Sequence, residues 1–231
     1  MSLPAELSDR TLARLTDALS LTVTADTPLT SPMAPQPVGR LRVLRSEPAD
    51  RVDKVVTVSL VVPTIGLDSH MIFAFTPADS AVPHFTLDSV RSSEYHAMHL
   101  DLIPRVELAT HLDYLDTTHL PLTPLLEAAW EIDGVSPAAV GPRQRAMMSP
   151  WMVVARATED AFTRLGATVD AYLDHWLALA DKGVTAEGDL AARDRVNRAN
   201  LFSPEVDPVW HQVTRLLGAD QAERVRGELL S

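Results

Sequence analysis

Apolar positions change their period twice along this chain. In residues 5–19, Leu7, Leu12, Leu15 and Leu19 recur at helical spacing and predict an N-terminal helix. Residues 27–37 hold Pro28, Pro32, Pro35 and Pro37 with no periodicity, which predicts a loop. From Val38 to Arg105 the period becomes two. Leu41 and Val43, then 55–62, 71–75, 84–90 and 97–103, read as strands. The links between them are short and rich in turn residues, so these strands are expected to pair antiparallel, since a parallel crossover needs about a dozen residues or more. Past Pro104 the helical period returns at 106–115, 121–130, 159–180, 191–200, 208–217 and 220–230, with one further strand near 147–155. The long helix carries Phe162, Leu165, Val169, Leu173, Trp176 and Ala180 on one stripe. Strands in one block followed by helices predict an α+β fold, an antiparallel sheet with helices packed on its faces.

Composition narrows the class. A chain of 231 residues with 46% hydrophobic content suits one domain with a proper core, here read as 1–231. The N-terminal segment Met1-Ser2-Leu3-Pro4-Ala5-Glu6 shows no basic region and no apolar stretch, so no secretion signal is expected, and no run of about 18 apolar residues is present to cross a bilayer. Cysteine is absent, which excludes disulfides, thiolate nucleophiles and cysteine-ligated clusters, and a reduced cytoplasmic setting is expected. The net charge of −11 gives no basic footprint for nucleic acid. Only Lys54 and Lys182 are lysines, so the cationic groups are almost all arginines, whose planar forks suit carboxylates.

Two acids stand out against this background. In the strand Pro83-His84-Phe85-Thr86-Leu87-Asp88-Ser89-Val90, His84, Thr86, Asp88 and Val90 fall on one face and Phe85, Leu87 and Ser89 on the other. An ionised carboxylate within sheet core costs several kcal/mol unless it is paired, so Asp88 is a candidate proton donor. Histidines on the flanking strands, His70 before it and His96 or His99 after it, are candidates to share its proton. The same histidines and Asp88 are metal-ligand types, but no zinc-like spacing joins them. The second acid, Asp207, precedes Pro208 and an amphipathic helix ending at Gly218. That pattern also describes a plain N-cap, with Asp220 expected to cap the next helix.

These segments together resemble the ferredoxin-dependent bilin reductases, and most closely their red chlorophyll catabolite reductase branch. The family's strand motif is proline, any residue, aromatic, a small residue, apolar, acid, apolar, apolar. Residues 83–90 follow it, with Thr86 at the small position and Ser89 at an apolar one. Asp207-Pro208 and Gly218 reproduce the C-terminal motif, Asp101-Leu102-Ile103-Pro104 matches a strand end, and Ser149-Pro150-Trp151-Met152 matches the strand before the long helix. The resemblance implies a three-layer α/β/α sandwich holding a linear tetrapyrrole between sheet and C-terminal helices. It implies reduction by single electrons from ferredoxin, with no flavin, nicotinamide or metal. Asp88 and Asp207 are then the proton-donating acids and His70 a third catalytic group. His84, Thr86 and Ser149 contact the substrate, and Arg145 and Arg156 receive its propionates. A basic patch from Arg143, Arg145, Arg193, Arg195 and Arg198 is the expected ferredoxin dock, and a homodimer is left open. A non-catalytic tetrapyrrole carrier of the same fold is the alternative. A hydrolase built on a His–Asp pair is disfavoured, because no serine sits in a nucleophile elbow.

Overall fold

The computed structural model describes residues 1–231. Eight strands form one antiparallel sheet: β1 (Thr22–Ser31), β2 (Ala34–Arg45), β3 (Lys54–Val62), β4 (Leu67–Phe75), β5 (His84–Arg91), β6 (His96–Ile103), β7 (Val135–Pro137) and β8 (Val153–Ala157). Their spatial order is β1-β2-β3-β4-β5-β6-β8-β7, so hairpin after hairpin lays β1 to β6 side by side, and β8 enters between β6 and β7. Helices α1 (Leu3–Leu19), α2 (Leu112–Thr118), α3 (Thr123–Trp130), α4 (Pro142–Arg145), α5 (Glu159–Lys182), α6 (Leu190–Leu201), α7 (Val209–Leu217) and α8 (Ala219–Leu230) complete the chain. None is long and apolar enough to cross a membrane.

Both sheet faces are covered, and the strands record it. In β3 the run Val55-Val56-Thr57-Val58 is apolar on both sides: Val55 packs with Leu15 of α1 and Trp176 of α5, while Val56 and Val58 pack with Phe202 and the α7–α8 pair. Three layers result, with α1 and α5 on one side of the sheet and α6, α7 and α8 on the other. The α5 stripe expected from the sequence is the buried one. Trp176 is fully buried, lies tilted against the Phe85 ring and donates its indole N–H to the Pro83 carbonyl at 2.7 Å, which fixes the entry of β5.

Three boundaries differ from the sequence expectation. Residues 27–37 are not a loop but most of a hairpin, turning at Pro32–Met33. Proline is tolerated there because β1 is an edge strand and the start of β2 lies beyond the reach of β3, whose pairing begins at Gly39. The strand expected at 147–155 forms only from Val153, and the helix expected from 106 starts at Leu112. Asp220 lies within the first turn of α8 and does not cap it.

Gly39 pairs with Leu60, and a Cβ at this position would collide with the backbone carbonyl of Ser59. Backbone cannot swing away as a side chain can. Gly39→Ala is therefore expected to cost about 3 kcal/mol, read as a lower midpoint in urea unfolding with unchanged slope.

Candidate functional site

The polar row on β5 faces α6–α8. Register sets its neighbours: Asp88 lies between Met71 on β4 and His99 on β6, and Thr86 lies between Phe73 and Asp101. Alternation therefore brings Thr86, Asp88 and His99 to one face, and there they line a cavity of about 350 Å³ between the sheet and the C-terminal helices. Thirteen of its 19 lining residues are hydrophobic, Trp210, Phe202 and Met148 among them, so polar groups inside it meet little competing water. Asp207 closes the far side. Two acids 119 positions apart in the chain thus share one apolar enclosure.

Pro208, not Asp207, is the capping residue of α7, but Asp207 still serves the helix start from one position earlier. Its Oδ1 accepts the Val209 N–H at 3.0 Å, and the Gln144 amide lies 3.4 Å from Oδ2. Burial pushes the Asp207 carboxyl above the usual range, and the nearby Asp88 charge adds to that, against the Val209 hydrogen bond. Burial therefore favours the protonated form of Asp207 more than water would.

His99 is the group that joins the acids. Its Nδ1 stands 3.4 Å from Asp88 Oδ2, while its Nε2 is buried without a partner. Burial pulls the imidazole pKa down. The Asp88 hydrogen bond and the charges of Asp88, Asp101 and Asp207 push it up by more, so the net shift is upward. The sequence left His96 and His99 as alternatives, and the register selects His99. His96 lies on the opposite face, against the Phe162 ring.

Behind His99 sits a third acid that sequence reasoning passed over as a strand-end match. Asp101 is fully buried and accepts from both the Ser149 N–H (2.9 Å) and the Ser149 hydroxyl (2.5 Å). Burial raises its pKa, partly offset by His99 and those bonds. Ser149 is thus engaged with Asp101 and does not line the cavity.

Other expected site residues lie elsewhere. His70 pairs with Ser89 and shares the α1 face with Ile72, so the sheet itself separates it from Asp88. Its Nε2 meets Asp68 at 2.8 Å. His84 shares the Asp88 face but is buried beyond the cavity. Its Nδ1 accepts the Thr76 N–H (3.0 Å), which leaves Nε2–H to donate to Asp194 (2.7 Å), and burial drives its pKa down to about 3. Arg145 is exposed on α4, where its neighbour Gln144 is the lining residue. Arg156 is exposed on β8, its guanidinium 4.5 Å from the Tyr95 ring centroid. The expected basic patch is not assembled: Arg198 is buried against Asp194 and Arg193 is bound to Glu107, which leaves Arg143, Arg145 and Arg195 exposed. No group of three or more His, Asp or Glu side chains comes together as a metal site.

This architecture, a three-layer sandwich about a central antiparallel sheet with its cavity under the C-terminal helices, is the bilin reductase fold. Among solved structures, the chain is similar to phytochromobilin synthase from tomato, determined in complex with biliverdin. The TM-score is 0.73 at 16% identity, covering 96% of this chain and 80% of that one. No protein-family model matches the chain, and comparison with curated protein sequences gives no match.

Proposed function

We propose that this protein reduces a linear tetrapyrrole held in the cavity, taking single electrons from reduced ferredoxin and protons from Asp88 and Asp207. The observation that carries the reading is the convergence of two acids and His99 on one apolar cavity, within a fold whose solved neighbour binds biliverdin. A conjugated tetrapyrrole accepts electrons by itself, so the protein's work reduces to holding the ligand and timing protons. The first electron gives a ligand radical anion that one proton turns into a neutral radical. The second electron gives a closed-shell anion that a second proton quenches, so two electrons and two protons saturate one double bond and leave two carboxylates to be reprotonated. Asp207 suits this because burial favours its protonated form. Asp88 suits it because His99 stands beside it as a proton reservoir. Thr86 adds a hydroxyl to the same wall.

The test is anaerobic. Biliverdin mixed with the protein should shift its visible spectrum, and reduced ferredoxin should then move the absorption to shorter wavelength. A shift followed by no turnover would favour a carrier over a reductase. No shift would reject biliverdin as a ligand.

A further inference from the structure

The cavity wall holds two carboxylates and an imidazole, and no lysine or arginine. Its other polar lining groups, Ser69, Thr86 and Gln144, are neutral. The single cationic group available, His99, already faces Asp88. Among the cations near lining residues in sequence, Arg198 is held by Asp194 and Arg226 by the Phe202 carbonyl and Glu223, while Arg143, Arg145 and Arg224 are exposed and none of them lines the cavity. A carboxylate brought inside would find no lysine or arginine as counter-ion and would stand beside two further acids on a mostly apolar wall.

We propose that the cavity selects its occupant by charge. It takes the conjugated body of the ligand, neutral or protonated at nitrogen, and leaves any carboxylate side chains outside, so that affinity does not depend on them. The identity of the ligand as a tetrapyrrole rests on the function proposed above; the charge selection does not.

Two probes with one aromatic skeleton separate these. N-phenyl-1-naphthylamine is neutral, and 1-anilinonaphthalene-8-sulfonate carries a sulfonate. Fluorescence titrations are compared for the part of each signal abolished by Met71→Trp, which fills the cavity beside Asp88. The neutral probe is expected to bind at least roughly tenfold tighter than the anionic one. In the Asp88→Asn/Asp207→Asn double variant the anionic probe should gain about fivefold or more while the neutral one stays within about twofold. Gln144→Lys, which places a cation on the wall, should favour the anionic probe in the same direction. Equal binding in the wild type, no cavity-dependent signal from the neutral probe, or an anionic-probe affinity that ignores both variants would each overturn the proposal.

The companion measurement uses biliverdin and its dimethyl ester. Dissociation constants within about threefold are expected, and a free acid bound roughly tenfold tighter or more would overturn the proposal. Charge discrimination between the naphthalene probes with neither tetrapyrrole bound would reject the tetrapyrrole reading and leave the charge selection standing.

Discussion

Asp88→Asn is expected to lower the rate of ferredoxin-driven biliverdin reduction by about 10²–10⁴-fold, the usual worth of a general acid, while leaving the dissociation constant within about tenfold. The asparagine is isosteric and sits on a half-exposed position at the cavity wall, so the sheet register around it has no reason to change. What it removes is the acid and the charge that holds the His99 proton. His99 then keeps its burial penalty but loses its two largest upward influences, so its pKa should fall; nuclear magnetic resonance of the ring reads this without substrate. Asp207→Asn makes a parallel case. Asparagine keeps a side-chain oxygen at the same place, so the Val209 N–H keeps its acceptor and α7 its start. Loss of turnover in that variant with an unchanged melting temperature would therefore report chemistry and not folding. Undiminished reduction by Asp88→Asn would remove the residue from the mechanism.

How much of this was legible before the structure depends on the length scale of the signal. The face of β5 that bears Asp88 follows from alternation alone, and the short links dictated the hairpins from β2 to β6. Alternation also argued against His70, because it shares a face with Ile72, and an isoleucine in a covered sheet marks the core side. Both the flanking-strand argument and the resemblance passed over that signal in placing His70 beside Asp88. Residues 27–37 were misread because proline counts as a breaker unless the strand is known to be an edge, and edge position is a property of the whole sheet. The meeting of Asp88 with Asp207 is tertiary: nothing in either segment encodes it, and it entered only through the resemblance. The arginine patch failed for a related reason. Asp194, one residue on from Arg193 and four before Arg198, draws Arg198 inward, and no charge count reveals which arginines a buried acid will claim.

That buried acid carries the largest stability effect. Asp194 accepts from His84, lies 2.8 Å from Arg198 Nε and 3.7 Å from Arg105, and all four side chains are buried. Arg105 in turn donates to Thr76 and to the Pro77 and Ala78 carbonyls, so the cluster ties the β4–β5 link to α6. Asp194→Ala leaves two guanidinium groups and an imidazole N–H facing no carboxylate. The expected cost is about 3–5 kcal/mol, a fall in Tm of roughly 10 °C or more for a chain of this size. Because α6 ends in Leu201 and leads to Phe202, both lining the cavity, ligand affinity should weaken as well. A Tm within about 2 °C of the wild type would refute the cluster's role. The same network sets an acid limit. His84 binds its proton only near pH 3 in the folded chain, against 6.5 for the free side chain, because burial disfavours the imidazolium and the charges of Arg105 and Arg198 add to that, against the pull of Asp194. Acid therefore protonates the unfolded chain first: the stabilisation is complete above pH 6.5 and is lost as pH falls from there toward 3. Asp194, held below its usual 3.8 by His84 and the arginines against its own burial, extends the loss at the acid end. Asp101 and Asp207 run the other way, because their raised values favour the folded state when protonated, and they offset part of it. His84→Gln keeps an acceptor for Thr76 and a donor for Asp194 but cannot titrate. Its stability, lower at neutral pH, should lose most of the wild-type slope between about pH 6.5 and 4, measured by urea unfolding across that range.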